Sequence, residues 1–168
     1  MRKSRQAIAF AALIASLAGI CAAAAAESAK GTVTYQSKSG PIVVNVKHAY
    51  LVKGPDVVSG KTIRRVVISV AYVAEAIRKC ERMMCSDGGI GEGMTVDLDA
   101  GPMLNYWFVA NDQRVQFSGV TKPDSLKLTA DAADHVAGKW DLDAHTGGGP
   151  VIHIEFDAPL VKEIKGKM

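Results

Sequence analysis

The sequence has no excess of positive charge outside its first few residues. Three of its 20 lysines and arginines are Arg2, Lys3 and Arg5, which leaves 17 basic against 17 acidic residues from Glu27 onward. After residue 5, no more than two basic residues are adjacent. Proteins that bind nucleic acid usually present a net basic stripe, so this composition argues against a nucleic-acid partner.

The motifs of several common enzymes are also missing. There is no Gly-x-Ser-x-Gly sequence, which serine hydrolases of one large class use to expose their nucleophile. The glycine-rich run from Gly88 to Gly93 has no following Lys-Ser or Lys-Thr and leads into a predicted strand, so it does not resemble a phosphate-binding loop. We interpret it as a surface loop and predict no catalytic residue and no cofactor.

A calcium loop of the Asp-x-Asp-x-Asp-Gly type is absent as well. The acidic residues that would supply oxygen ligands to a calcium ion, if folding brought them together, are Asp87, Glu92, Asp97, Asp99 and Asp112. Solvated turn carboxylates are the simpler interpretation of these residues, and calcium binding is the alternative.

The N-terminus has the pattern of a secretory signal peptide. Its basic start precedes an apolar run from Ala7 to Ala22, and small residues end at Ala26. We predict residues 1–26 to be the signal and 27–168 to be a single β-rich domain, periplasmic or secreted, without a transmembrane segment after cleavage. An uncleaved anchor would need roughly 20 apolar residues. Lipidation of Cys21 is a further alternative, although Ile20 interrupts the usual Leu-Ala-Gly-Cys pattern.

Only two cysteines follow residue 26, Cys80 and Cys85. An exported chain meets an oxidising compartment, so we predict that they form a disulfide that pins a local bend. The alternative is a reactive or metal-binding thiol pair. Cys-x4-Cys is wider than the usual Cys-x2-Cys, and no second pair exists to complete a zinc site.

Alternating polar and apolar residues dominate the chain and predict short strands. The clearest pattern is Leu104 to Gly119, where a two-residue turn at Asn111-Asp112 would place Phe108 opposite Val115 and Tyr106 opposite Phe117. About nine such strands, separated by turn residues, predict an all-β, mainly antiparallel sandwich or open barrel. One short helix is predicted near 71–82, where apolar residues recur at helical spacing.

Three histidines lie in or near the predicted closing hairpin, His135, His145 and His153. Two of them with an aspartate would suffice to bind a transition metal or to act as an acid–base pair. Scattered histidines on a polar face are the simpler interpretation, so we predict no metal, and these three histidines are the candidate ligands of the alternative.

On the polar face of the central hairpin, Trp107 is accompanied by Val109 and Arg114. An exposed large aromatic residue there would mark a contact surface, and these three residues are our candidate binding site. The alternative is that a second sheet or the helix covers Trp107.

Several blocks of the sequence resemble a group of small exported proteins of Gram-negative bacteria. These blocks are VKHAYLVKGPD, TIRRVVIS, CSDGGIGEGMTVDLD, LNYWFVAN and GGPVIHIEFDAPLVKEI. The resemblance covers nearly all of the chain after residue 26 and implies a location in the Gram-negative envelope. It implies no activity, ligand or site.

Two functional hypotheses follow from these features. The first is a non-enzymatic binding or interaction module that takes a partner protein or a small ligand. The second is a metal-dependent or hydrolytic enzyme that uses the histidines of the closing hairpin. The first is preferred because no catalytic residues occur at a diagnostic spacing, and a structural protein without a dedicated ligand is a third possibility.

Overall fold

Ten strands and two short helices make up the computed structural model, which describes residues 26–165. The strands are β1 Ala29–Ser37, β2 Gly40–Val46, β3 His48–Pro55, β4 Thr62–Ser69, β5 Gly93–Leu98, β6 Leu104–Ala110, β7 Val115–Thr121, β8 Leu126–Asp131, β9 His135–Asp143 and β10 Val151–Glu163. The helices are α1 Ala74–Arg78 and α2 Cys85–Gly88, and two 3-10 turns span Pro123–Ser125 and His145–Gly147. The predicted all-β class is confirmed.

The helix predicted near 71–82 is present but shorter, as α1. The residues at helical spacing, Val73, Ile77 and Cys80, are buried as expected. The chain then leaves the helix and turns, so that Cys80 and Cys85 meet. The second helix, α2, begins at Cys85 and ends at Gly88, the first glycine of the run predicted to be a loop.

Strand β10 organises the sheet because it belongs to both of its halves. Its first part lies between β1 and β9, antiparallel to both, while residues from Leu160 onward pair in parallel with β3. A register shift between Leu160 and Lys162 accompanies the change of partner. The result is a curled sheet with one half ordered β2-β1-β10-β9-β8, called sheet 1 here, and the other β10-β3-β4-β5-β6-β7, called sheet 2.

The main core lies between the inner faces of the two halves. Alternating residues from nearly every strand point into it, and the largest fully buried side chains are Trp140 and Phe108. The inward orientation that alternation predicted for Phe108 and Tyr106 is confirmed.

A second, smaller core covers part of the outer face of sheet 2. It is formed by the segment between β4 and β5, residues 70–92, which we call the excursion. Its buried residues Ile77, Met83 and Ile90 pack on Val67 and Val109 of the sheet. Because sheet 2 is covered on both faces there, β3 and the end of β4 are buried on both sides. The alternation of polar and apolar residues that marks the other strands is therefore missing from them.

The β6–β7 hairpin differs from its prediction in register. Four residues connect the strands, and Phe108 pairs with Phe117 while Tyr106 pairs with Gly119. Three successive residues from Asn111 have positive φ, of 52°, 52° and 65°, so the loop is longer than the expected two-residue turn. The register shift is two residues, which leaves every side chain on its predicted face.

Within residues 26–165, no helix is both long and apolar enough to cross a bilayer. Residues 1–25 of the predicted signal segment, including Cys21, lie outside the described residues.

Candidate ligand-binding groove

Beyond the edge of the excursion, the outer face of sheet 2 forms the floor of an open groove of about 820 Å³. Strand register aligns its side chains in two rows. Arg65, Asp97, Asn105 and Val120 face one another across β4 to β7, and Thr95, Trp107 and Ser118 form the neighbouring row. The floor therefore changes from charged at β4 and β5 to apolar at Trp107 and Val120.

The excursion supplies the wall of the groove through Met84 and Asp87. The sulfur atoms of Cys80 and Cys85 are 2.14 Å apart, at disulfide distance. The two cysteines are five positions apart in the sequence and close a short loop beside Met84 and Asp87. The hydroxyl of Ser86, buried under the wall, donates to the carbonyl of Met83 at 2.5 Å. The wall is thus held by local cross-links rather than by strand pairing.

At the charged end, one guanidinium holds two carboxylates, and we call Arg65, Asp87 and Asp97 the Arg65 cluster. Arg65 Nε and Nη2 donate to the two oxygens of Asp97 at 2.5 and 2.9 Å, and Nη1 donates to Asp87 at 2.9 and 3.0 Å. Nη1 also donates to the carbonyl of Met83 at 3.2 Å. The cluster fastens the excursion to the sheet and has a formal charge of −1 when both acids are ionised.

That surplus of negative charge in a largely buried place affects Asp87. Burial, followed by the repulsion of Asp97, raises the pKa of Asp87 from 3.8 to about 6, although Arg65 acts in the opposite direction. The side chains of Arg65 and Asp97 are only 12% and 13% exposed. One arginine is therefore insufficient to neutralise the site fully.

Only one of the three predicted binding residues lines the groove. Trp107 is half-buried there, with part of its side chain against the small core. Val109 is fully buried beneath the excursion, and Arg114 is exposed in the β6–β7 loop. Trp107 is therefore partly an exposed contact residue and partly a covered one, because the excursion packs against one side of it and leaves the other side open.

The three candidate histidines each pair with a different aspartate. His135 Nε2 lies 2.7 Å from Asp157, His145 Nδ1 lies 2.5 Å from Asp143, and His153 Nδ1 lies 3.0 Å from Asp141. His153 and His135 are separated along β9 and β10 by six residue positions, which is on the order of 20 Å at strand spacing. Among the described residues, no three His, Cys, Asp or Glu side chains form a metal-binding group.

The acidic residues considered as calcium ligands do not form one group, because Asp97 and Asp99 pair with different arginines. Asp97 belongs to the Arg65 cluster, whereas Asp99 accepts from Arg64 Nε at 2.7 Å. Arg64 also donates to Asp131 of β8, at 2.5 Å, and so links the two halves of the sheet. Adjacent arginines on one strand thus serve opposite faces, as the two-residue period of a strand requires.

Sequence reasoning missed Arg65, Met84 and Val120 as groove residues. A signal for Arg65 is present, because a charged pair interrupts the apolar strand TIRRVVIS and buried arginines require carboxylate partners. Met84 and Val120 carry no such signal in the sequence. Both are large apolar residues that remain mainly exposed, at 65% and 64%.

No protein-family model, curated protein or solved structure matches this chain.

Proposed function

We propose that the chain is a non-enzymatic binding domain of the bacterial envelope or the secreted fraction, and that the groove is its ligand site. The export part rests on the N-terminal pattern and on the resemblance to exported Gram-negative proteins. The binding part rests on the groove itself.

The observation that carries the binding role is the combination of surfaces around Trp107. Soluble proteins normally cover large apolar side chains, yet Trp107, Met84 and Val120 border one concave surface beside a polar cluster. Ligand sites typically combine apolar walls with a few fixed polar groups. The hydrogen bonds of the Arg65 cluster fix its polar groups before any ligand arrives, which lowers the entropy cost of binding.

The two tryptophans allow a direct test. Trp107 borders the groove, whereas Trp140 is fully buried and its indole Nε1 donates to Ser125 Oγ at 3.3 Å. A fragment screen by NMR on the chain from Glu27 should therefore move the indole N–H resonance of Trp107 and leave that of Trp140 in place. Fragments that shift neither resonance, across a chemically diverse set, would contradict the proposal.

A further inference from the structure

The two ends of the groove together define a class of ligand. We infer that the groove takes a small organic cation, an ammonium or guanidinium group carried on an apolar body, with the charged group at Asp87 and Asp97 and the body along Trp107 and Val120. This inference rests on the proposed binding function and specifies its ligand.

The first step concerns unused hydrogen-bond capacity at the charged end. Within residues 26–165, the side-chain hydrogen bonds that Asp87 and Asp97 accept all come from Arg65. A carboxylate has about four acceptor positions, so both acids can accept further donors. A ligand with N–H donors and a positive charge would satisfy these positions and balance the surplus charge of the cluster.

The second step excludes the opposite charge. Among the described residues that line the groove, Arg65 is the only cation, and its guanidinium donates to two carboxylates and to the Met83 carbonyl. An anionic ligand would have to displace those contacts and approach a cluster that is already net negative. Charge complementarity therefore selects a cation.

The third step concerns the length and shape of the ligand. From Asp97 on β5 to Val120 on β7 the floor crosses two strand intervals, which is about 10 Å. Trp107 lies in the row beside this path and Met84 lies on the wall. An aromatic or alkyl body of that length would contact Trp107 while its cation reaches the carboxylates, and the indole face adds attraction for a nearby positive charge.

Three probes of equal chain length test the inference: phenylbutylamine, phenylbutanol and phenylbutyrate. Each is titrated into the chain from Glu27, with the Trp107 indole N–H resonance and calorimetry as readouts. We expect the amine to bind at least about tenfold more tightly than the alcohol and the carboxylate not to bind measurably.

A matched pair of variants locates the charge requirement. Asp97→Asn should weaken amine binding about tenfold and alcohol binding by much less, because the alcohol has no charge for the carboxylate to attract. Asp99→Asn makes the same chemical change at a carboxylate that Arg64 holds outside the groove, and it should leave both affinities unchanged. If Asp97→Asn does not fold, as judged by its thermal melt, Asp87→Asn on the wall replaces it with the same expectation.

The outcomes separate the two proposals. If the alcohol shifts Trp107 and binds as tightly as the amine, the groove is a ligand site but the cation inference is wrong. If acetyl-Leu-Lys-Leu-amide binds about tenfold more tightly than the amine, the ligand is a peptide and the small-molecule assignment is wrong. If none of the probes shifts Trp107, the cation inference is overturned together with the groove as their binding site.

Discussion

Phe108 shows how much of the packing is determined at the level of single residues. Its side chain has no exposed surface and contacts the Tyr35 ring at a centroid distance of 5.7 Å. Phe108→Ala should therefore reduce the free energy of unfolding by about 3–5 kcal/mol. Denaturant titration measures this loss. Gln116→Ala on the exposed side of β7 is the control and should change little, and equal losses would mean that the buried face has been misidentified.

The Arg65 cluster predicts a dependence of stability on pH. The folded-state pKa of Asp87 is about 6, above its ordinary 3.8, so the folded protein retains a proton there that the unfolded chain releases. The resulting stabilisation is complete below about pH 4 and is lost as the pH rises through about 6. Asp87→Asn does not titrate, so it should gain stability relative to the wild type between about pH 5 and about pH 7.5.

Thermal melts at the two pH values measure this difference, and Asp99→Asn is the control. Arg64 holds the pKa of Asp99 below its ordinary value, so that carboxylate stays ionised throughout the range. The difference between Asp99→Asn and the wild type should therefore not change with pH. A constant difference for Asp87→Asn as well would contradict the assignment of a raised pKa.

Residue-scale prediction from the sequence succeeded where one strand supplies its own pattern. Phe108 and Tyr106 point inward because their strand alternates. Arg65 meets Asp97 only because β4 and β5 adopt one register across the intervening excursion. Asp87 meets the same arginine only because the excursion folds back over the sheet, and no local periodicity encodes that contact.

At the scale of elements, Gly93 decides how the excursion returns to the sheet. Its φ is 145°, and a Cβ at this position would lie 2.1 Å from the carbonyl oxygen of Ile68. Gly93→Ala should therefore cost at least about 1–3 kcal/mol from the backbone conformation alone, and the clash with β4 adds to it. Gly101→Ala, with no atom within 4 Å of the added carbon, should be nearly neutral. Comparable losses in the two thermal melts would disprove the role assigned to Gly93.

The disulfide gives a second prediction at this scale. In protein recovered from its cellular location, non-reducing peptide mapping should find Cys80 joined to Cys85. Replacing both with alanine should cost about 2 kcal/mol or less, because the loop is short. Amide exchange should quicken in the excursion and not in the strands, since only the wall depends on this cross-link. Two free thiols in the mapped protein would refute the bond.

The prediction of elements from sequence was limited by the helical segment. Apolar spacing located α1, but it did not show that the chain would leave the helix before Cys80. The four-residue β6–β7 loop was not predicted either. Asn111, Asp112 and Gln113 all have positive φ, but none of them is a glycine that would have indicated this conformation in the sequence.

At the scale of the whole molecule, the N-terminal pattern makes the clearest prediction. Protein recovered from the envelope or medium should begin at Glu27, because small residues precede it in the order that signal peptidase recognises. Intact-mass measurement decides this. A mass that includes Met1, or one that includes a lipid on Cys21, would contradict the predicted processing.

The all-β class followed from the turn residues and alternating strands, whereas the topology did not. Leu51 and Leu160 pair in parallel although more than a hundred positions separate them, and β1 lies beside β10 rather than β3. Such pairings depend on how all the strands share the core. Contacts this distant are also slow to form, because their loop-closure entropy must be overcome first.

The position of β10 constrains the order in which the protein can fold as it is made. Of the ten strands that the structure describes, a ribosome releases this one last, yet both half-sheets need it as their common member. Until residues 151–163 emerge, β1 and β3 each have an open edge, and Ile152 and Ile154 are missing from the core. A growing chain therefore cannot join its two half-sheets before β10 has emerged.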